Sequence, residues 1–97
     1  MKELKNEFVG IGEVKGFIFK QLHANGYVYL YEVTNPNDVK PHYEVFERVE
    51  NIVFNCVSYP KSKSFGIWAW CISDYDKAVK KYEEITKKVI KRLENKQ

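Results

Sequence analysis

Phe65, Gly66, Ile67, Trp68, Ala69, Trp70, Cys71, Ile72 and Ser73 form the most apolar stretch of the chain and run directly into Asp74, Tyr75 and Asp76. No charged residue falls between Ser64 and Ser73, although charged residues make up 30% of the 97 residues, and both tryptophans lie here. The run is too short to span a bilayer and is rich in β-branched and aromatic residues, so it reads as a strand, the last and most central of a sheet. Period-two alternation sets Phe65, Ile67, Ala69 and Cys71 on one face and Trp68, Trp70 and Ile72 on the other.

After this strand the pattern changes to that of a helix over residues 74–95. Tyr75, Ala78, Val79, Tyr82, Ile85, Val89 and Leu93 recur at spacings of three and four and make one apolar stripe. Ser73 followed by Asp76 resembles a capping box. Asp74 and Asp76 suit the positive end of the helix dipole, and Lys91, Arg92 and Lys96 suit the negative end.

Upstream, residues 13–73 read as an antiparallel sheet of about five strands. Glu13 to Leu22 is the first, with Phe17 and Phe19 on one face and a bulge marked by Gly16. Ala24, Asn25 and Gly26 supply a hairpin turn. From Tyr27 to Thr34 the alternation is plain: Tyr27, Tyr29, Tyr31 and Val33 face one way, and Val28, Leu30 and Glu32 the other. Asn35, Pro36, Asn37 and Asp38 form a turn. His42 to Glu50 is the most charged strand and is expected at an edge, where charge discourages unwanted pairing. Ile52 to Tyr59 is expected as the fourth strand, followed by the basic loop Pro60 to Ser64. Residues 1–12 fit either a helical spacing or an irregular edge strand. With no crossover helix between strands, the class is α+β: an antiparallel, meander-like sheet with one C-terminal helix on one face, in a single domain of residues 1–97.

The net charge is +3, and all of it comes from the C-terminal segment: residues 1–73 carry eight basic and eight acidic residues, residues 74–97 eight and five. The first residues lack the apolar core of a signal peptide and no run is long enough to cross a bilayer, so a soluble, cytoplasmic protein with no membrane association is expected. Cys56 and Cys71 stand in no metal or redox spacing and read as free thiols. His42 and Glu44 share a strand face, and His23 and Asp38 are the other groups that a metal site could recruit, but no ligand cluster at metal-binding spacing is visible. Gly10, Gly12 and Gly16 do not make a phosphate loop. No enzyme chemistry, small-molecule substrate, cofactor or metal is expected.

One helix covers one face of a sheet, so the second face is the expected place for function. If Ala69 and Cys71 lie under the helix, then Trp68 and Trp70 lie beside Tyr27, Tyr29 and Tyr31 as an aromatic surface for a protein partner, a second copy, or stacked bases. The alternative places both tryptophans in the core beneath the helix. Single-stranded nucleic acid would draw phosphate contacts from Lys61, Lys63, Lys77, Lys81 and Lys88. The element order resembles that of Whirly-type single-strand binders, but Glu32, Glu44, Glu47 and Glu50 would repel phosphate, so a protein partner or homodimer is the preferred reading.

The combination His42-Tyr43-Glu44-Val45-Phe46-Glu47-Arg48, then Ser58-Tyr59-Pro60, then Phe65-Gly66-Ile67-Trp68-Ala69-Trp70, with Ala78 in the helix, resembles small proteins encoded by tailed phages and prophages. No activity is attached to that group. The resemblance therefore implies a setting, the cytoplasm of a bacterial host, and no catalytic residues.

Overall fold

Asn25 sets the first hairpin. Its Oδ1 accepts from the backbone N–H of Tyr27 at 3.0 Å and of Val28 at 2.9 Å, and Gly26 takes φ +86° beside it. Those bonds join β2 (Ile18–Ala24) to β3 (Val28–Thr34), and β3 passes through the Asn35 turn into β4 (His42–Glu47). The computed structural model describes residues 1–96. Its other elements are β1 (Glu7–Val9), β5 (Glu50–Asn51), β6 (Cys56–Val57), β7 (Ala69–Ile72) and α1 (Tyr75–Glu94). The main sheet is antiparallel in the order β1-β2-β3-β4-β7, and β5-β6 is a separate small hairpin. The α+β class and the helix on one face are as the sequence predicts.

Helix α1 starts one residue later than the capping box suggests. Asp74, not Ser73, is the N-cap, and its carboxylate accepts the Lys77 N–H at 2.9 Å. Ala78, Ile85 and Val89 of α1 meet Val28, Leu30, Tyr43 and Val45 of the sheet, with Leu22, Trp70, Ile72, Val79 and Tyr82 around the edge. Asn25 also ties the first hairpin to the helix by donating from Nδ2 to Thr86 Oγ1 at 2.9 Å.

The second face is closed too. Phe19, Tyr29, Tyr31, Val33, Phe46 and Ala69 are buried there under Val57, with Leu4, Phe8, Tyr59, Phe65 and Trp68 packed around them. The Tyr59 ring meets those of Phe8, Phe19, Tyr31 and Phe46 edge-on, with centroids 4.8–5.4 Å apart. The N-terminal segment is fixed over this face by backbone bonds from Lys2 N–H to the Asn55 carbonyl and from Val57 N–H to the Lys2 carbonyl, both 2.9 Å. Gly10 lets the chain turn tightly here, since a Cβ would lie 2.3 Å from the Val14 carbonyl oxygen.

Four expectations need correction. The first of the expected strands runs over Ile18–Ala24 and not from Glu13, because Gly12–Val14 form a short 3-10 turn, and the irregularity in its ladder falls between Gln21 and His23 and not at Gly16. The charged strand is not an edge: β4 lies between β3 and β7, because each of its charges finds a partner. Glu47 accepts from Arg92 of α1 at 2.9 Å, and Glu44 accepts from Tyr59 at 2.7 Å. The stretch around Trp70 is not central: β7 is an edge strand, and the helix covers its apolar side. Ile52 to Tyr59 is not a sheet strand. Asn51 Oδ1 accepts the Phe54 N–H at 3.1 Å and Asn55 takes φ +52°, so turn chemistry overrides the β propensity of Ile52, Val53 and Phe54. The fifth place in the sheet goes instead to β1, from the segment whose sequence was ambiguous.

Burial raises the pKa of Tyr31, Tyr43, Tyr59 and Tyr82, and at Tyr59 the Glu44 carboxylate pushes in the same direction. The folded chain thus holds these phenolic protons more tightly than the unfolded chain does. Their contribution to stability is complete below about pH 10 and is lost as pH rises beyond it. An alkaline absorbance titration should therefore show fewer than seven tyrosines ionising while the protein is native, the remainder appearing only on unfolding. Seven normal titrations in the native state would contradict this packing.

Candidate interaction face and the cluster beside it

The five aromatic residues expected to share a surface do not do so. Tyr29 and Tyr31 are core residues, 4% and 0% exposed. Their hydroxyls are occupied: Tyr31 accepts from Gln21 Nε2 at 2.9 Å and donates to the Lys5 carbonyl at 2.7 Å, while Tyr29 accepts from Arg48 at 2.8 Å. Trp70 packs under α1, with Lys81 Nζ 5.0 Å from its ring centroid. Trp68 lies on the opposite face, against Phe46. Strict alternation would have put both tryptophans together. It fails because Gly66 takes φ +87° and the N–H groups of Ile67 and Trp68 both bond the Ser64 carbonyl, so regular strand begins only at Ala69. Of the five, Tyr27 alone is classed as exposed.

The lysines also divide. Lys61 and Lys63 rim the side away from the helix. Lys77, Lys81 and Lys88 belong to α1, where Lys81 and Lys88 pair with Glu84 at 3.2 and 3.7 Å. The two sets sit on opposite sides of the sheet and present no shared groove.

What the side away from α1 does present is a cleft. Two adjoining hollows of about 740 and 700 Å³ share Ile11, Val14, Phe19, Tyr59, Pro60 and Lys61. The lining includes the aromatic rings of Phe8, Phe19, Tyr59 and Phe65, and charges of both signs: Lys2, Lys5, Lys61 and Lys63 with Glu3, Glu13 and Glu44. Cys56 and Val57, at the base of the β5-β6 hairpin, form part of one wall. Beyond that wall the hairpin tip carries Ile52, Val53 and Phe54, which are 77%, 86% and 76% exposed. Arg48 braces the hairpin to the N-terminal segment. Its guanidinium donates to both oxygens of Glu3 and, at 3.2 Å, to Glu50, and this bonding holds the Glu3 carboxyl below its usual range. The sequence reads Ile52, Val53 and Phe54 as part of the fourth strand and so does not single them out, although the flanking Asn51 and Asn55 are the signal of a turn.

Glu44 lines the cleft and belongs to a second arrangement. His42 Nε2 lies 2.9 Å from Glu44 Oε2, the Tyr59 hydroxyl donates to Glu44 Oε1 at 2.7 Å, and Cys71 is the cross-strand partner of Glu44. Although Cys71 is exposed as a residue, partial desolvation of its thiol, with a smaller push from Glu44, raises the thiol pKa. The i, i+2 spacing of His42 and Glu44 was readable in the sequence. Cys71 was not, because only the β4-β7 register brings it there.

No helix among the described residues is long and apolar enough to cross a membrane. No family model, curated protein or solved structure matches the chain.

Proposed function

We propose that the chain is a non-enzymatic interaction module that binds a second copy of itself through the side of the sheet opposite α1. The observation that carries this reading is the hairpin tip: three consecutive large apolar side chains stand more than three-quarters exposed on a turn fixed by hydrogen bonds. Exposed apolar area of this kind marks an association surface, and a central aromatic such as Phe54 is the usual anchor. The same molecule supplies a matching receptor, an apolar cleft next to the hairpin. A two-fold arrangement in which each tip enters the other copy's cleft satisfies both surfaces at once. We place this module in the cytoplasm of a bacterial host, as the phage resemblance implies, and the two free thiols agree with a reducing compartment.

Sedimentation tests it. The wild-type protein should shift from monomer to dimer with rising concentration, and Phe54→Asp should remain monomeric; at dilutions where the wild type is also monomeric the two should share one melting temperature, because Phe54 is 76% exposed and supports none of the core. A wild-type protein that stays monomeric at high concentration overturns the proposal. So does salt-sensitive binding of labelled single-stranded DNA that Phe54→Asp abolishes, which would assign the same surface to nucleic acid.

A further inference from the structure

We infer that His42, Glu44 and Cys71 form a zinc site on the cleft side of the β4-β7 pair. Period-two alternation puts His42 and Glu44 on one face of β4, and the antiparallel register sets Cys71 of β7 directly opposite Glu44. One nitrogen, one oxygen and one sulfur donor therefore converge, their ligand atoms all within 4.8 Å of one another. Thiolate, imidazole and carboxylate together suit zinc, whereas magnesium and calcium take oxygen ligands. In a tetrahedral zinc site bonds of about 2.0–2.3 Å hold neighbouring donors roughly 3–4 Å apart. Contraction on the order of 1 Å closes the present cluster, and the torsions of the exposed Cys71 and half-buried His42 side chains can supply it.

Two features distinguish the cluster from a simple His-Glu ion pair. Tyr59 donates to Glu44 Oε1 from within the aromatic cluster, which fixes the carboxylate and leaves Oε2 turned toward His42. Outer partners of this kind orient ligating carboxylates in metal sites. In addition, all three ligands are on paired strands of the main sheet, so their backbone positions are set by the ladder and not by a loop. Three protein ligands leave a fourth position open, and the exposure of Cys71 gives the ion a path from solvent.

The inference is independent of self-association and is tested on the reduced, chelator-treated full chain with cobalt(II) as a spectroscopic stand-in for zinc. One equivalent of cobalt should bind and develop a thiolate-to-cobalt charge-transfer band, which one equivalent of zinc then displaces. Cys71→Ser should lose the band and Cys56→Ser should keep it. His42→Ala should weaken binding by more than tenfold. Tyr59→Phe, which removes no ligand, should weaken it by about 10–100-fold. Absence of the band in the wild type overturns the site, as does a band that survives Cys71→Ser or His42→Ala at unchanged affinity.

Discussion

Phe46→Ala will destabilise the protein by about 3–5 kcal/mol, the range for deleting a large buried aromatic side chain. Phe46 is fully buried. Its ring stacks near those of Tyr29 and Tyr31, at 5.3 and 5.6 Å, and meets Tyr59 and Trp68 edge-on at 4.8 and 6.3 Å. Removing it leaves a void that none of these neighbours can close without abandoning another contact: the Tyr29 and Tyr31 hydroxyls are tethered to Arg48 and Lys5, and the Tyr59 hydroxyl to Glu44. At roughly 4–8 °C per kcal/mol for a domain of this size, the melting temperature should fall by roughly 12 °C or more. Phe46→Leu keeps much of the volume and should cost less than half as much. Urea denaturation of the pair measures this, and equal losses for the two variants would overturn the volume argument by assigning the whole effect to the ring contacts.

Ile85→Ala should cost about 2–5 kcal/mol, from the other side of the sheet. Ile85 is 2% exposed and sits midway along the stripe of α1, between Ala78 and Val89, facing the Val28, Leu30 and Val45 side chains. A helix gains most of its stability in a protein from this apolar face and little from its propensity alone. The same truncation at Lys88, one turn along the exposed side, should fall within about 0.5 kcal/mol of wild type. A thermal melt of both variants separates the faces. If Ile85→Ala melts like Lys88→Ala, the helix does not depend on the sheet for its stability.

Alternation and the helical stripe were legible because both are local. Tyr29, Tyr31 and Val33 against Val28 and Leu30 in β3, and Ala78, Ile85 and Val89 in α1, all fall where their spacing puts them. Where the sequence misleads, a single residue of special backbone changes the count. Gly66 ends the alternation before Trp68, and Asn51 with Asn55 turns an apolar run into a hairpin tip. Long-range pairing was beyond reach for another reason. Nothing near β4 says that its neighbour is β7, so neither the interior place of a charged strand nor the meeting of Glu44 with Cys71 can be read from spacing. The candidate surface was misplaced for the same cause: the tyrosine face is apolar because the N-terminal segment and the residues around Tyr59 cover it.

The borders of the sheet are its shortest strands, three residues in β1 and four in β7, against seven, seven and six in β2, β3 and β4. A border that short offers few free backbone groups for another chain to copy, so growth by repeated strand addition has almost no template. Contacts between molecules in a crowded solution are thereby left to side chains, which can be tuned one at a time, and finite assemblies are favoured over fibres.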